Sequence, residues 1–461
     1  MPSLNTESLI NLPQNEADKF VAWVRAAAPY IHAFSGRTFV IAFGGELLAN
    51  SQQAQSLAYD CNLLAALGIR LVLVHGARAQ IDAEMARRGL ASHFHNNVRI
   101  TDAAALECVK AATGTVRIEL EALLSQGLPN TPMAGAHMRV TGGNFITARP
   151  LGVIDGVDHQ YTGTVRKIIA EEIRADLEQE NVVLISTLAA SPAGELFNLA
   201  LEEVAGAVAV AVRAEKLIFL CDAPGLLDAQ GTLIHSLTAS EAETRLREAP
   251  PPADSIARCL PHAIDAVRKG VSRAHLIDQN ADGALLLEFF TRAGVGTMLS
   301  REPLFCLRQA SGEDIGALIA LIAPMEADGT LVRRNRDLLE QEIDRFTLIE
   351  HDGVLIGCAA LYPFSDDNAA ELACLAVTPE HRRAGLGEQL LARLEAQARE
   401  RGFQHLFVLT TRTAHWFLER GFTPSSPERL PQQKRELYNY QRRSKVFVKT
   451  LDADSAAGQC Q

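Results

Sequence analysis

The sequence predicts an α/β protein of two domains, the first built on a parallel sheet that is covered on both faces. Two early apolar runs, 39–43 (FVIAF) and 71–74 (LVLV), are continuous rather than alternating, which is typical of strands buried on both sides. Each leads into a glycine-containing turn and then a helical pattern, and helices between strands indicate parallel connections. The pattern restarts after residue 303, and 461 residues exceed one ordinary core, so we expect a second, smaller α/β domain.

Three further strands complete the expected first sheet, at 182–186, 217–220 and 274–277. In open sheets of this kind, ligands bind at the carboxyl ends of the strands, beside the turns. The segment 1–36 is predicted to be a leading helix, because its apolar residues recur at helical spacing. From this pattern alone, the helix either folds back on its own domain or packs against another subunit.

Composition and charge limit the possible partners. The net charge of −11 argues against nucleic acid as the principal partner, although a local patch can still bind a phosphorylated ligand. The eight cysteines form no CxxC pair, so we expect neither a metal site nor disulfides, and reduced thiols fit a cytoplasmic protein. We see no secretory signal, and the longest apolar run, 204–212, is shorter than the ~20 residues that span a bilayer, so we expect no membrane partner.

The domain boundaries follow from the places where the patterns break. We expect the first domain to span 37–300 and the second 304–450, with the linker SREP at their junction. In the second domain, two strands around Asp352-Gly353 predict a hairpin. The last residues, 451–461, are predicted to form a flexible tail.

One stretch, 371–387 (ELACLAVTPEHRRAGLG), carries the strongest signal for function. It joins a strand-like apolar run to a basic turn with glycines at Gly385 and Gly387, directly before an amphipathic helix. Helix-initial N–H groups lack internal partners and the dipole adds roughly half a positive charge, so such a turn attracts an anion. Arg382 and Arg383 add full charges beside it. Without the flanking strand and helix, such a glycine pair would be an ordinary turn about as often as a ligand-binding one.

The turn resembles the pyrophosphate-binding signature of the GNAT acetyltransferases, (Q/R)-x-x-G-x-(G/A), with Arg382, Gly385 and Gly387 in the fixed positions. The resemblance implies a GNAT fold for the second domain and acetyl-CoA as co-substrate. It places Cys374 beside the thioester through a backbone contact, with the pantetheine arm held by the strand residues that follow. The residues expected to bind acetyl-CoA are Cys374, Leu375, Ala376, Val377, Arg382, Arg383, Ala384, Gly385, Leu386 and Gly387.

Acetyl transfer to an amine requires a base for the ammonium and an acid for the departing thiolate. Many GNAT enzymes place a glutamate where Glu371 stands, so the resemblance implies that Glu371 is the base; the alternative is a polar residue at a strand edge. Phe417 replaces the tyrosine that commonly acts as acid. Thr410 matches a serine or threonine used by bacterial relatives, so we expect Thr410 as the acid, with Tyr438 or Tyr440 in reserve.

Residues 37–300 resemble the amino-acid kinase fold, and within it N-acetylglutamate kinase, through VIAFGGEL, LVLVHGARAQI, ARPLGVIDGVD and AEKLIFLCDAPGLL. Two positions depart from the kinase pattern. Ala42 stands where the kinases carry the lysine that bridges the phosphates, and near Asn198 the chain offers Glu202 instead of an aspartate. Phosphoryl transfer depends on cations around the moving group, so we expect this domain to have lost kinase chemistry.

Arginine-inhibited members of the kinase family bind arginine between the leading helix and the end of the domain. By motif, the resemblance places an arginine site at Tyr30, Lys216, His275, Glu288 and Gly294. A carboxylate such as Glu288 suits a guanidinium through two parallel hydrogen bonds. The alternative is that Glu288 is a solvated helix residue and His275 a satisfied residue at a strand end. Leading helices interlace the kinase family into hexamers, which favours the oligomeric role for the helix here.

A kinase-like domain followed by a GNAT domain resembles the bacterial two-domain N-acetylglutamate synthases over nearly the whole chain. That family implies acetyl transfer from acetyl-CoA to L-glutamate, the first step of arginine biosynthesis, with arginine as feedback inhibitor. By motif, Arg333, Arg442 and Ser444 bind the two carboxylates of glutamate, although charge runs are more often solvated faces. Two alternatives stay open: a bifunctional synthase/kinase, which Ala42 disfavours, and a non-catalytic arginine sensor.

Overall fold

The chain divides into two compact units, residues 1–303 and residues 304–461. The structure is a computed structural model that describes 14–127, 131, 133–248, 255–291, 294–302, 305–351, 354–379, 385–436 and 444–451, with side chains from residue 18 onwards. Several predicted features lie outside the described residues: the Asp352-Gly353 turn, nearly all of the expected tail, and the site residues Arg382, Arg383, Ala384, Tyr438, Tyr440 and Arg442.

The first unit alternates strands with helices. Its strands are β1 (Thr38–Phe43), β2 (Arg70–His75), β3 (His93–His95), β4 (Val98–Ile100), β5 (Val140–Thr141), β6 (Ile146–Pro150), β7 (Val153–Ile154), β8 (Val157–Asp158), β9 (Gly163–Ile168), β10 (Val182–Ser186), β11 (Leu188–Ala190), β12 (Leu196–Asn198), β13 (Lys216–Cys221), β14 (Ser236–Thr238), β15 (Arg273–Asp278) and β16 (Thr297–Ser300). Its helices are α1 (Gln14–Phe34), α2 (Ser51–Ala66), α3 (Arg78–Arg87), α4 (Ala103–Leu124), α5 (Ala170–Glu178), α6 (Leu201–Val212), α7 (Ala239–Glu248), α8 (Ser255–Arg268) and α9 (Ala284–Phe290).

Eight of these strands form one sheet in the order β14-β16-β15-β13-β1-β2-β10-β5. The pairings are parallel, except that β16 runs antiparallel to β15. Alternate residues of β1 pack into separate cores: Val40 lies among residues of α6 and α8, and Ile41 among residues of α2 and α4. The predicted parallel sheet, buried on both faces, is therefore confirmed. A smaller sheet, β12-β11-β6-β9, and the hairpins β3-β4 and β7-β8 complete the unit.

The leading helix α1 is attached to its unit at its C-terminal end. Ala27 and Phe34 are buried in the core that also holds α9. Towards its start, α1 exposes apolar side chains, with Phe20 57% and Trp23 46% accessible. One half of the helix therefore packs on its own unit, and the other half presents apolar surface.

The second unit is a single twisted sheet with helices. Its strands are β17 (Phe305–Gln309), β18 (Phe346–His351), β19 (Val354–Phe364), β20 (Ala369–Val377), β21 (His405–Thr410), β22 (Thr423–Ser425) and β23 (Lys445–Thr450). Its helices are α10 (Ile315–Ala327), α11 (Arg336–Glu342), α12 (Leu386–Glu400), α13 (Ala414–Leu418) and α14 (Gln432–Glu436).

The strand order of this sheet is β17-β18-β19-β20-β21-β23-β22. Its pairings are antiparallel, except that β20 and β21 run parallel. The antiparallel pairing of β18 with β19 agrees with the predicted hairpin. The helix between the two parallel strands, α12, buries Leu390 and Leu394 in the core beneath them. The predicted α/β fold of the second unit is confirmed.

Candidate active site and effector site

The two parallel strands of the second unit separate towards their carboxyl ends. They pair from Ala369↔His405 to Leu372↔Val408, and there the pairing stops. β20 nevertheless continues to Val377 and β21 to Thr410. Within the described sheet, the β21-facing backbone groups of β20 beyond Leu372 therefore have no strand partner. A pair of parted strands offers N–H and C=O groups to an extended ligand, as an open sheet edge does.

A β-bulge lies where the strands part. The partner of β20 on its other side, β19, pairs Ala360 with Ala373 and then Cys358 with Ala376, so that Cys374 and Leu375 together oppose one residue. Cys374 adopts a left-handed φ of 53°. The Cys358 thiol donates a hydrogen bond of 3.4 Å to the Cys374 carbonyl. A bulge bends its strand and often lies beside an active site.

The predicted anion-binding turn ends at a helix N-terminus. Gly385 is the N-cap of the 15-residue helix α12, with a φ of 71° that glycine adopts without strain. Leu386 is fully buried, and Gly387 packs against the indole ring of Trp416. The N-terminus of α12 therefore closely follows, in sequence, the basic pair Arg382-Arg383.

Glu371 is a buried carboxylate on β20, three residues before the bulge. It is 5% accessible, and its Oε2 lies 2.7 Å from the Nζ of Lys434 on α14. Burial raises the pKa of Glu371 above its ordinary value, and the charges of Lys434 and Arg334 act in the opposite direction. A carboxyl with a raised pKa suits a general base that works near neutral pH.

Thr410 lies at the end of the other parting strand. It is buried, and its Oγ1 accepts hydrogen bonds from the backbone N–H groups of Arg412 and Thr413, at 3.3 and 3.0 Å. The Thr413 hydroxyl lies 2.8 Å from the same oxygen. These contacts fix the Thr410 side chain. Phe417, which stands in place of the common tyrosine acid, is buried in the apolar core.

Arg334 rather than Arg333 is the arginine that reaches towards Glu371 and the bulge. Arg333 is exposed, whereas Arg334 is half-buried. Burial lowers the pKa of Arg334, but the neighbouring Cys374, Tyr362 and Glu371 together raise it by more. The pKa of Arg334 therefore lies above its ordinary value. Both arginines line a groove of about 630 Å³ between α10 and α11. Ser444, the third predicted glutamate ligand, lies half-buried just before β23.

In the first unit, the predicted arginine-site residues lie together. His275 Nδ1 is 2.6 Å from Glu288 Oε1, and Lys216 Nζ is 3.2 Å from His275 Nε2. The Lys216 ammonium lies over the ring of Phe34, which is 6.2 Å from the ring of Tyr30. Glu288 is thus a buried carboxylate and not a solvated helix residue.

Glu288 also closes the loop at the start of β16. Its Oε2 accepts hydrogen bonds from the N–H groups of Val295 and Gly296, at 2.7 and 3.0 Å. A Cβ atom added to Gly294, whose φ is 61°, would lie 2.7 Å from the same oxygen. Glycine is therefore required there by both conformation and space.

The two residues that depart from the kinase pattern both make structural contacts. Ala42 is buried within β1, and Glu202, at the start of α6, forms a 3.0 Å ion pair with the Nε of Arg258. Among the described residues, no group of three or more His, Cys, Asp or Glu side chains is placed to hold a metal ion. None of the described helices is long and apolar enough to cross a membrane.

Family models match both units. The model described as "Amino acid kinase family" matches residues 37–278, and the model described as "Acetyltransferase (GNAT) family" matches residues 318–422. An "Amino-acid acetyltransferase" from Ralstonia nicotianae is 51% identical over 439 residues, which cover 95% of this chain and 97% of the relative. Another protein of that name, from Ectopseudomonas mendocina, is 50% identical over 94% of this chain and 99% of its own length.

This chain belongs to the amino-acid acetyltransferase family. The acetyltransferase is also similar to a solved N-acetylglutamate synthase from Neisseria gonorrhoeae, complexed with coenzyme A and L-arginine, with 40% identity, a TM-score of 0.84 and coverage of 94% and 99% of the two chains. A second structure of that synthase, complexed with coenzyme A and N-acetyl-glutamate, has the same identity and coverage and a TM-score of 0.60.

Two charged residues near Glu371, Arg334 and Lys434, are not among the residues predicted for the site. Arg334 stands in the run LVRRNRD, where spacing does not separate a half-buried arginine from its exposed neighbours. Lys434 stands in the polar run QQKRE, which is typical of a solvated helix. Locally, Lys434 is marked only by its place on a short helix ahead of the final strand. The contact between Lys434 and Glu371 exists only in the tertiary fold.

Proposed function

We propose that this acetyltransferase moves the acetyl group of acetyl-CoA to the amino group of L-glutamate, as the first step of arginine biosynthesis, and that arginine inhibits it. The observation that carries the catalytic part is the buried carboxylate of Glu371 beside the point where β20 and β21 part. The relative from Neisseria gonorrhoeae, solved with coenzyme A and N-acetyl-glutamate, supports this choice of donor and acceptor.

In this proposal the parted strands and the N-terminus of α12 hold acetyl-CoA. The backbone of Leu375, Ala376 and Val377 binds the pantetheine arm as an added strand would. The helix N-terminus at Gly385, with Arg382 and Arg383, binds the pyrophosphate. The left-handed backbone at Cys374 turns the strand so that its next N–H groups point at the thioester carbonyl, where charge develops during transfer.

Two side chains move the protons. Glu371 takes a proton from the substrate ammonium, directly or through water, and burial favours this by raising its pKa above the ordinary value. The amine then attacks the thioester carbonyl, the C–S bond breaks, and Thr410 donates its hydroxyl proton to the departing thiolate. The nitrogen still carries one proton more than the amide needs, and this proton restores the Thr410 hydroxyl. The hydrogen bonds that the Thr410 oxygen accepts from two backbone N–H groups stabilise the charge left on it. Glutamate is bound through its carboxylates by Arg333, Arg442 and Ser444.

The first unit supplies the regulation in this proposal. Arginine binds at Tyr30, Lys216, His275, Glu288 and Gly294, with its guanidinium on the Glu288 carboxylate. We expect a homo-oligomer, because α1 exposes apolar side chains that a neighbouring subunit can cover. The resemblance to the kinase family favours a hexamer, and the reduced thiols expected from the cysteine pattern fit a cytoplasmic protein. The relative from Neisseria gonorrhoeae, solved with L-arginine, supports the choice of effector.

The decisive experiment is release of free thiol from acetyl-CoA, measured with L-glutamate and, in parallel, with L-glutamine, L-aspartate and D-glutamate. We expect L-glutamate to be the preferred acceptor and L-arginine to lower the rate. Activity with another amine and none with L-glutamate would overturn the substrate. ADP release from ATP with N-acetyl-L-glutamate, measured on the same sample, tests the kinase alternative, and we expect none because Ala42 replaces the phosphate-bridging lysine.

A further inference from the structure

The base of the proposed mechanism is already paired with a cation of the chain. Lys434 Nζ lies 2.7 Å from Glu371 Oε2, and the Glu371 side chain is only 6% accessible. Lys434 is 26% accessible and sits on α14, a five-residue helix. The base is therefore buried, whereas its partner stands at the solvent side on a short element and a flexible four-carbon stem.

Two cations among the described residues act on Glu371. Lys434 approaches it from α14, and Arg334 acts on it from the segment before α11. Its cross-strand neighbour on β19, Tyr362, donates its hydroxyl at 2.7 Å to Glu342 and not to Glu371. The Lys434 ammonium is thus the one ion-pair partner of Glu371 among the described residues.

A substrate ammonium that reaches Glu371 must compete with this lysine. Both groups are cations with N–H donors, and both seek the same carboxylate oxygen. If Lys434 simply left, its charge would lose its partner in a half-buried place, which is unfavourable. An α-amino acid avoids that cost, because its α-carboxylate is bonded to the carbon that carries the ammonium and arrives together with it.

We infer that an amino acid enters this site by salt-bridge exchange: its ammonium replaces Lys434 on Glu371, and Lys434 moves onto its α-carboxylate. This inference rests on the proposed function and adds a determinant of specificity to it. The exchange turns one ion pair into two. The exchange selects α-amino acids over simple amines and over amino acids whose α-carboxylate is blocked. Lys434 thereby joins Arg333, Arg442 and Ser444, the residues proposed to bind the carboxylates of glutamate.

Lys434 also affects the pKa of Glu371, the proposed base. Burial raises the pKa of Glu371, and Lys434 opposes this rise because a cation beside a carboxylate favours its charged form. Burial is already the largest influence, so removing the lysine raises the pKa of Glu371 further. Because kcat/KM reports ionisations of the free enzyme, its acid limb must then move to higher pH.

The test compares L-glutamate with its α-amide, isoglutamine, as acceptors for the wild-type protein and for Lys434→Met. The wild type should prefer L-glutamate in kcat/KM. In Lys434→Met this preference should narrow by about 10-fold or more, the loss expected for one charged hydrogen bond, and the acid limb should move to higher pH. The matched control is Arg435→Met, which removes an exposed cation from the same helix and should change neither quantity.

Lys434→Arg and Lys434→Gln complete the series. The arginine variant should keep most of the preference and the glutamine variant should lose it, and coenzyme A affinity by calorimetry verifies that each variant is folded. An unchanged preference and an unchanged acid limb in folded Lys434→Met or Lys434→Gln would overturn the exchange and leave the proposed function standing. If the wild type acetylates other amines but not L-glutamate, both proposals fall together.

Discussion

The imidazole of His275 and the carboxylate of Glu288 form a buried hydrogen bond of 2.6 Å, with both side chains at most 4% accessible. Burial, and then the charge of Lys216, lower the pKa of His275 to about 4, so the ring is neutral at pH 7. Its Nδ1–H donates to Glu288, and its Nε2 accepts from Lys216. Glu288 therefore stays ionised although burial opposes it, because His275 and two backbone N–H groups lower its pKa to about 2.

This arrangement predicts how the response to arginine depends on Glu288. Glu288→Gln keeps the shape of the side chain but removes the charge that a guanidinium pairs with. We expect the arginine concentration for half-inhibition to rise about 10- to 100-fold, because a hydrogen bond to a charged group contributes roughly 1.5–3 kcal/mol. The measurement is thiol release against arginine concentration, scaled to each variant's own uninhibited rate. Glu178→Gln, exposed at the end of α5, is the control, and an unchanged response in Glu288→Gln would contradict the site.

The same pair predicts a pH dependence of stability. The folded pKa of His275, about 4, lies below its ordinary value of 6.5, so the unfolded chain takes up this proton first as the pH falls. The contribution of His275 to the free energy of unfolding is fully present above about pH 6.5. It is lost as the pH falls towards 4, and the loss is on the order of 2–3 kcal/mol at pH 4.5. Below pH 4.5, the ordinary pKa of a glutamate, Glu288 adds a further loss of stability as the pH falls.

Unfolding by urea at pH 7, 5.5 and 4.5 measures this dependence. We expect His275→Gln to have a shallower fall in the free energy of unfolding than the wild type, whatever its absolute stability. The exposed His235 gives the control His235→Gln, which should keep the wild-type slope. Parallel curves for wild type and His275→Gln would show that His275 does not cause the acid sensitivity.

For the base, we predict that Glu371→Gln lowers kcat by about 10²- to 10⁴-fold, the usual contribution of a positioned general base. The rate of this variant should also lose the acid limb that Glu371 gives the wild type. Thiol release across pH 5.5–9 with saturating substrates measures both effects. Glu400→Gln, exposed at the end of α12, should behave as the wild type. A Glu371→Gln variant that keeps its rate and its acid limb would remove Glu371 from the mechanism.

For the acid, a pair of substitutions at Thr410 separates its hydroxyl from its methyl group. Thr410→Ser keeps the hydroxyl that accepts from Arg412 and Thr413, and should stay within about 10-fold of the wild-type kcat. Thr410→Ala loses the proton donor, and the rate of its acetyl-transfer step should fall by about another 10²-fold or more. Single-turnover measurements isolate that step. Equal rates for the two variants would assign the acid elsewhere, with Tyr438 and Tyr440 next in line.

At the cofactor turn, Gly385→Ala places a side chain on a residue whose φ is 71°. A left-handed residue with a Cβ costs about 1–2 kcal/mol, so we expect the turn to shift and coenzyme A to bind about 10-fold more weakly. Calorimetric titration with coenzyme A measures the change. Gly402→Ala, which also has a positive φ but follows α12 at its other end, controls for strain as such and should leave the affinity unchanged.

Much of this molecule is predictable from local patterns. The buried strands β1, β2, β10 and β13 appear as continuous apolar runs, because a strand covered on both faces has no solvent side to make polar. The turn before α12 is recognisable because an anion site needs glycine, a basic residue and a helix start at consecutive positions. The stretch 371–387 thereby indicated both the strand that holds Glu371 and the helix that follows.

Tertiary structure alone decided which side chains meet. Sequence places His275, Glu288 and Lys216 in separate elements, and only the packing of α9 beside β13 and β15 joins them into one buried chain of hydrogen bonds. Lys434 lies 63 residues from Glu371 and belongs to a polar run, so no periodicity distinguishes it from Arg435 beside it. Local propensity determines strands, helices and turns, whereas ion pairs between distant segments depend on distances that exist only once the sheet has formed.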